Sequence, residues 1–330
     1  MGRRPEAQEE RIASAFAPGH VTGIFAPSQG SRDPRSRGSL GAGIVLELGA
    51  RAIARYRPGE SPSIRLASDL AGPTPISEEV VRRLAWGRPG TLRVEVRHEL
   101  PVGHGFGMSA AGALATALAT AAVLRIPRRR AIAVAHLADL YGGGGLGGVA
   151  AILGGGLEIR TRPGIPPFGR IRHRRFQRPI LLSSLGGPVA TRTVLGDSRM
   201  LDLARSLARP GLLALAHAPS ASTFLRASER FTDGFGIASV ELRAPIATLR
   251  GTGARVAQAM FGRSLFSVAF SRGGRARLIE ALIDRGYPSV ELHAARRGAR
   301  VSAGRENWTT GRPLRSVEVR RRTGSPREAF

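Results

Sequence analysis

The stretch from Pro101 to Ala122, PVGHGFGMSAAGALATALATAA, sets Gly103, Gly105, Gly107 and Ser109 directly ahead of a helix built largely from alanine. The first turn of a helix leaves about four backbone N–H groups without helical partners and carries a partial positive charge, so an anion docked there meets donors already oriented. Glycine, with no Cβ, lets backbone wrap close around phosphate oxygens. Three roles are open to the Ser109 hydroxyl where loop becomes helix: capping, contact with a phosphate, or ligation of Mg²⁺. A second group follows in RRRAIAVAHLADL, where His136 and Asp139 stand three residues apart and share a helix face. Read alone, they are better taken as a partly buried helix histidine and a solvated helix-end charge. Next comes YGGGGLGGVAAILGGGLEIR: a glycine loop, a short apolar segment, another glycine turn and a strand ending near Arg160.

Composition narrows the chemistry. A chain of 330 residues, 42% hydrophobic, can bury a substantial core in one large or two intimately packed domains. The absence of Cys removes disulfides, thiolate zinc sites and a cysteine nucleophile, and fits a reducing cytosol. The start, MGRRPEAQEER, is charged where a signal peptide would be apolar, and no apolar run approaches the ~20 residues of a membrane span. A soluble, cytoplasmic protein with no membrane partner is expected. The formal charge of +26 invites a nucleic-acid reading. Every basic residue is Arg, however, and these are spread from Arg3 to Arg327 with only 5% aromatics to stack on bases. Nucleic acid is therefore not the expected partner. The missing Lys also excludes a Walker A loop, so a nucleotide site here must work without that cation.

The elements that must position these residues are partly legible. SLGAGIVLELGARAIARYRP and TLRVEVRHEL read as strands by apolar alternation between Gly, Pro and Ser punctuation. Helices are expected from Ser109 to Leu124 and from Arg128 to Leu140, the second opened by Pro127. Further on, SRMLDLARSLA, PSASTFLRASERFTDGF and RVAQAMFGRSL read as helical, whereas GLLALAHA, LFSVAFS and SVELHAA read as strands. This makes a mixed α+β second half, with a boundary near residues 175 to 190.

PVGHGFGMSAA resembles the P-x-x-x-G-L-G-S-S-A-A signature of the GHMP kinases, the superfamily of galactokinase, homoserine kinase, mevalonate kinase and phosphomevalonate kinase. Phe106 stands for the usual Leu, and Met108 replaces the first Ser. AFAPGHVTGIFAP, DPRSRGSLGAGIVLELG, AHLADL, GLGGVAAILGGGLEIR, ATRT, ASERFTDGFGIAS and AQAMFGRSLFSVAF are similar, in order across residues 13 to 270, to the archaeal pantoate kinases within it.

The resemblance implies ATP- and Mg²⁺-dependent phosphorylation of pantoate to 4-phosphopantoate, toward coenzyme A. It also implies a two-domain α+β fold: an N-terminal unit like ribosomal protein S5 domain 2 and a ferredoxin-like C-terminal unit. The expected division is a flexible extension over 1–12, the ATP-binding domain over 13–180, the C-terminal domain over 181–315 and a basic disordered tail over 316–330. Gly103, Gly105, Gly107, Met108, Ser109 and Ala110 would then hold the nucleotide, Ser109 and Asp139 the metal, and Ser39, His136, Arg160 and Thr191 the pantoate. A guanidinium suits a carboxylate, and hydroxyls suit the substrate's oxygens.

One departure matters. The family's second glycine loop reads Gly-Leu-Gly-Asp-Val, its Asp orienting or deprotonating the attacking hydroxyl, but Gly148 stands at that position here. Loss of activity, a base from elsewhere such as Asp139, and transfer without a side-chain base all remain open. The alternatives are accordingly a kinase of mevalonate or homoserine type and a catalytically impaired binder of pantoate and ATP. Nothing in the sequence fixes an oligomeric state, and a homodimer stays open.

Overall fold

A computed structural model describes residues 9–28, 32–189, 197–235, 240–260 and 262–302. Its frame is an antiparallel pair of long strands, β1 (Arg11–Ser28) and β2 (Gly38–Arg57). β1 carries no apolar alternation for the sequence to display, because every residue from Ala13 to Val21 is buried and both faces are covered. β2 forks. Its second half, Ala50–Arg57, pairs with β4 (Gly90–His98), whose burial alternates as a half-exposed strand requires. Its first half, Gly41–Ile44, pairs instead with β5 (Leu157–Arg162). Beyond these lie β3 (Pro62–Ser68), parallel to β4; β6 (Arg170–Arg174), beside β5; and β11 (Arg300–Ser302), which returns to the outer edge of β1.

Four helices accompany this sheet: α1 (Pro75–Ala85), α2 (Met108–Val123), α3 (Arg128–Gly142) and the single turn α4 (Gly148–Ala151). In α2 all residues but Ser109 and Ala122 are buried, against β1, β2, α1 and α3. Alanine explains this: a helix without long side chains approaches its neighbours closely on every side.

The second sheet runs β10–β7–β9–β8, all antiparallel, from β7 (Ile180–Ser184), β8 (Arg255–Gln258), β9 (Ser264–Val268) and β10 (Ser289–Leu292). Helices α6 (Ala221–Phe235), α7 (Val240–Gly251) and α8 (Arg272–Asp284) pack on it, and α5 (Ser198–His217) lies on α6 and β1. Its strands divide their side chains by the two-residue period. Leu181, Val256 and Leu265 pack with Leu242, Leu249, Leu278 and Leu282 of α7 and α8, whereas Leu182, Ala257 and Phe266 join the main core.

Two expectations are corrected here. GLLALAHA is the C-terminal part of α5, its Leu215 continuing the buried stripe of Ala204 and Ala208. RVAQAMFGRSL is β8, a turn and the start of β9: the ladder from Arg255↔Val268 to Gln258↔Leu265 satisfies its backbone and buries Val256, Ala257 and Gln258. Pairing thus overrides the helical reading of a short segment. Among the described residues no helix is long and apolar enough to cross a membrane.

Candidate active site

The loop before α2 depends on its glycines. Gly103, Gly105 and Gly107 have φ of 84°, 80° and 69°, in the left-handed region that side chains resist. It is pinned on both sides: Val189 N–H donates to Gly103 O at 3.0 Å, and His20 N–H donates to Phe106 O at 2.9 Å. The first bond inside α2 runs from Ala111 N–H to Gly107 O at 3.0 Å, so the amides of Met108, Ser109 and Ala110 have no partner one turn back. Gly107 occupies the N-cap position, and Ser109 caps nothing. Its hydroxyl donates instead to Asp139 Oδ1 at 3.1 Å.

Asp139 lies on α3, 2% exposed, and no salt-bridge cation accompanies it among the described residues. Burial pushes its carboxyl up to about 7, against the opposing pull of the Ser109 hydroxyl. Gly144 passes so close that a Cβ there would run into both Asp139 Oδ1 and Ser109 Oγ. At Gly148, the first residue of α4, a Cβ would lie 2.6 Å from Ala110 Cβ and 3.5 Å from Asp139 Oδ2. A side chain at 148 could therefore be added only if α4 or Ala110 moved.

Where the 143–148 loop continues, a Cβ at Gly147 would lie 2.6 Å from Ser39 Oγ and 3.0 Å from Arg160 Nε. Arg160, on β5, is buried; its Nη1 pairs with Glu158 Oε1, and its Nε donates to Ser39 O at 3.3 Å. The same Glu158 oxygen meets His20 Nε2 at 2.9 Å. Ser39 Oγ is buried without a partner.

A cavity of about 280 Å³ joins the two groups, with Asp139, Ser109, Ala110, Met108 and the glycines of both loops on its wall together with Arg160, Ser39, His20 and Thr22. Gly148 lines it as well. One expected substrate residue stands apart. His136 is buried on α3 against the Pro34–Arg37 turn, its Nε2 without a hydrogen-bond partner and its pKa held below the usual value by burial, and it does not line the cavity. Thr191 lies outside the described residues.

Sequence reasoning assigned no role to His20, Thr22 or Glu158. A signal existed: Glu158 and Arg160 are two apart on a strand whose first four residues are buried, so two opposite charges face the same interior side.

Residues 76–156 match the family model for the GHMP kinases N terminal domain. A curated pantoate kinase of Methanospirillum hungatei JF-1 is 34% identical over 192 residues, covering 57% of this chain and 65%, just under two thirds, of that protein. The pantoate kinase of Thermococcus kodakarensis is 30% identical over 242 residues, covering 70% of this chain and 78% of that protein. The chain belongs to the pantoate kinase family. A solved structure described as a phosphotransferase related to the CoA biosynthesis pathway superposes with a TM-score of 0.80 at 27% identity, over 88% of this chain and 99% of the other. Membership makes this chain a small-molecule kinase, and its two sheets with their helices are the two-domain α+β GHMP fold.

Proposed function

We propose that the chain phosphorylates pantoate on its 4-hydroxyl with ATP and Mg²⁺, yielding 4-phosphopantoate for coenzyme A synthesis in the cytoplasm. The observation that carries this reading is the single cavity running from the Ser109–Asp139 pair to Arg160 and Ser39. The residues present fit the absent groups. A buried carboxylate whose ionisation is opposed by burial gains most from a divalent cation, and Mg²⁺ characteristically takes one or two protein oxygens with the rest from phosphate and water. When bound, the magnesium nucleotide supplies the phosphoryl group and neutralises its charge.

The chain's own residues do the remainder. The amides of Met108, Ser109 and Ala110 and the glycines before them receive phosphate oxygens, and Ser109 and Asp139 hold the metal. Arg160 pairs with the pantoate carboxylate, and the unpartnered Ser39 hydroxyl reads a substrate oxygen. His136 acts from behind, bracing the Pro34–Arg37 turn that leads into Ser39, and Thr191 keeps its place on pantoate. With no carboxylate at 148, transfer rests on positioning and charge neutralisation; general-base help is typically worth about 10²–10⁴-fold.

The test is ATP consumption with Mg²⁺ against pantoate, mevalonate and homoserine, on the wild type and on Ser109→Ala. Pantoate alone should be consumed, and Ser109→Ala should lower kcat at least about 100-fold with the fold intact. Equal turnover of mevalonate, or an unaffected variant, overturns the reading. Gly148 favours a second reading, a binder with little turnover. Calorimetric binding of pantoate without phosphorylation is its signature.

A further inference from the structure

The buried cluster behind Arg160 is more elaborate than holding one guanidinium requires. His20 Nε2 meets Glu158 Oε1 at 2.9 Å, and Thr22 Oγ1 meets His20 Nδ1 at 3.2 Å. His20 and Thr22 line the cavity, whereas Glu158 lies behind it, fully enclosed. The socket is cut from β2: a Cβ on Gly41 would lie 2.5 Å from Arg160 Nη2, and one on Gly43 would strike His20 Nε2.

We propose that binding of the anionic substrate beside Arg160 is coupled to uptake of one proton by His20, which makes His20 and Thr22 specificity-determining residues for a carboxylate. The inference rests on the pantoate reading above. Charge counting drives it. Arg160 is already neutralised by Glu158, so a substrate carboxylate entering beside it leaves one net negative charge out of water, which is costly. One proton on His20 cancels that charge.

The titratable and polar groups around His20 are Thr22 from its own strand, Glu158 and Arg160 from β5, and His173 from β6, while β2 brings Gly43 against the ring and pairs Val45 with His20. His173 is tied by its Nδ1 to Gly155 O at 3.1 Å. Burial holds free His20 below the usual histidine range despite Glu158, so it begins neutral, with its Nε2 proton toward the carboxylate and Nδ1 accepting from Thr22. After protonation Nδ1–H donates to Thr22 Oγ1, and the hydroxyl proton is released to turn into the cavity toward the anion. Both ring nitrogens of His20 keep a hydrogen-bond partner in the two states, and Glu158 Oε2 stays buried without one.

The experiment is calorimetric titration of pantoate into the full chain saturated with a non-hydrolysable ATP analogue and Mg²⁺, near pH 7.5, in buffers of low and high ionisation enthalpy. The wild type should take up most of one proton per pantoate. Its Kd should rise by up to about tenfold per pH unit between the free and bound pKa of His20. His20→Gln and Thr22→Val should bind with little uptake and a flat Kd, whereas Thr22→Ser and His173→Gln should retain both. If His20→Gln does not fold, the Thr22→Val and Thr22→Ser pair decides. Pantoate binding with no buffer dependence, or uptake that survives Thr22→Val, overturns the inference and leaves the pantoate reading standing. No pantoate binding while the analogue binds overturns both.

Discussion

Asp139 is a carboxylate stored out of water with one hydroxyl for company. Its raised pKa means that the folded protein keeps a proton the unfolded chain has already released, so the stability it contributes is full below about pH 4 and is lost as pH rises through about 7. Asp139→Asn keeps the size and removes the ionisation. Its thermal midpoint should match the wild type near pH 4 and exceed it at pH 8, where the stability difference is at most on the order of 4 kcal/mol, while activity is lost. Melting curves at the two pH values check this; a variant less stable at pH 8 would contradict it. At position 148, the contact with Ala110 means that Gly148→Asp alone must push α4 off α2 and set a second carboxylate beside Asp139. Lower stability and no gain in turnover are expected, whereas Gly148→Asp with Ala110→Gly relieves the contact and should show the higher kcat of the two. Ser109, Asp139 and Arg160 were legible because their types stand at a family's spacing. The missing Asp was legible too. That a side chain there would meet Ala110 was not, since no local pattern reports how one helix rests on another, and the His20–Glu158 bond joins residues 138 apart.

Among elements, the loop before α2 and the forked strand β2 carry the site. At Gly105 the φ of 80° is unfavourable for a side chain, and a Cβ would also strike Ala259 O. Gly105→Ala should therefore cost roughly 1–3 kcal/mol and raise the KM for ATP more than that for pantoate, measured by denaturant unfolding and steady-state kinetics. Equal shifts in both KM values would argue that the loop does not hold the nucleotide. β2 and β4 were readable from alternation, and α2 and α3 from their starts. β1 was unmarked because burial on both faces erases the period, RVAQ changed type because its hairpin with β9 decides it, and GLLALAHA because the helix it ends packs on β1, far back in the sequence.

Across the molecule, the two sheets share one core, and the chain crosses back to close the first. β11 pairs with β1 from Ser14↔Ser302 to Phe16↔Arg300, the Arg300 guanidinium lies 4.7 Å from the Phe16 ring centre, and Arg128 Nη2 donates to Ala299 O at 2.7 Å. A chain cut after Gly298 loses all three and exposes an edge of β1. Its thermal midpoint should fall by at least a few degrees, with aggregation visible by light scattering; an unchanged melt would show that β11 adds nothing. The same pairing bears on the order in which the molecule is made. Ser14 waits for a partner 288 residues downstream, so a nascent chain has its first strand ready and that strand's outer neighbour still unsynthesised for most of translation. The strand that emerges first is among the last to be enclosed, and until then its open edge is the surface a chaperone must guard.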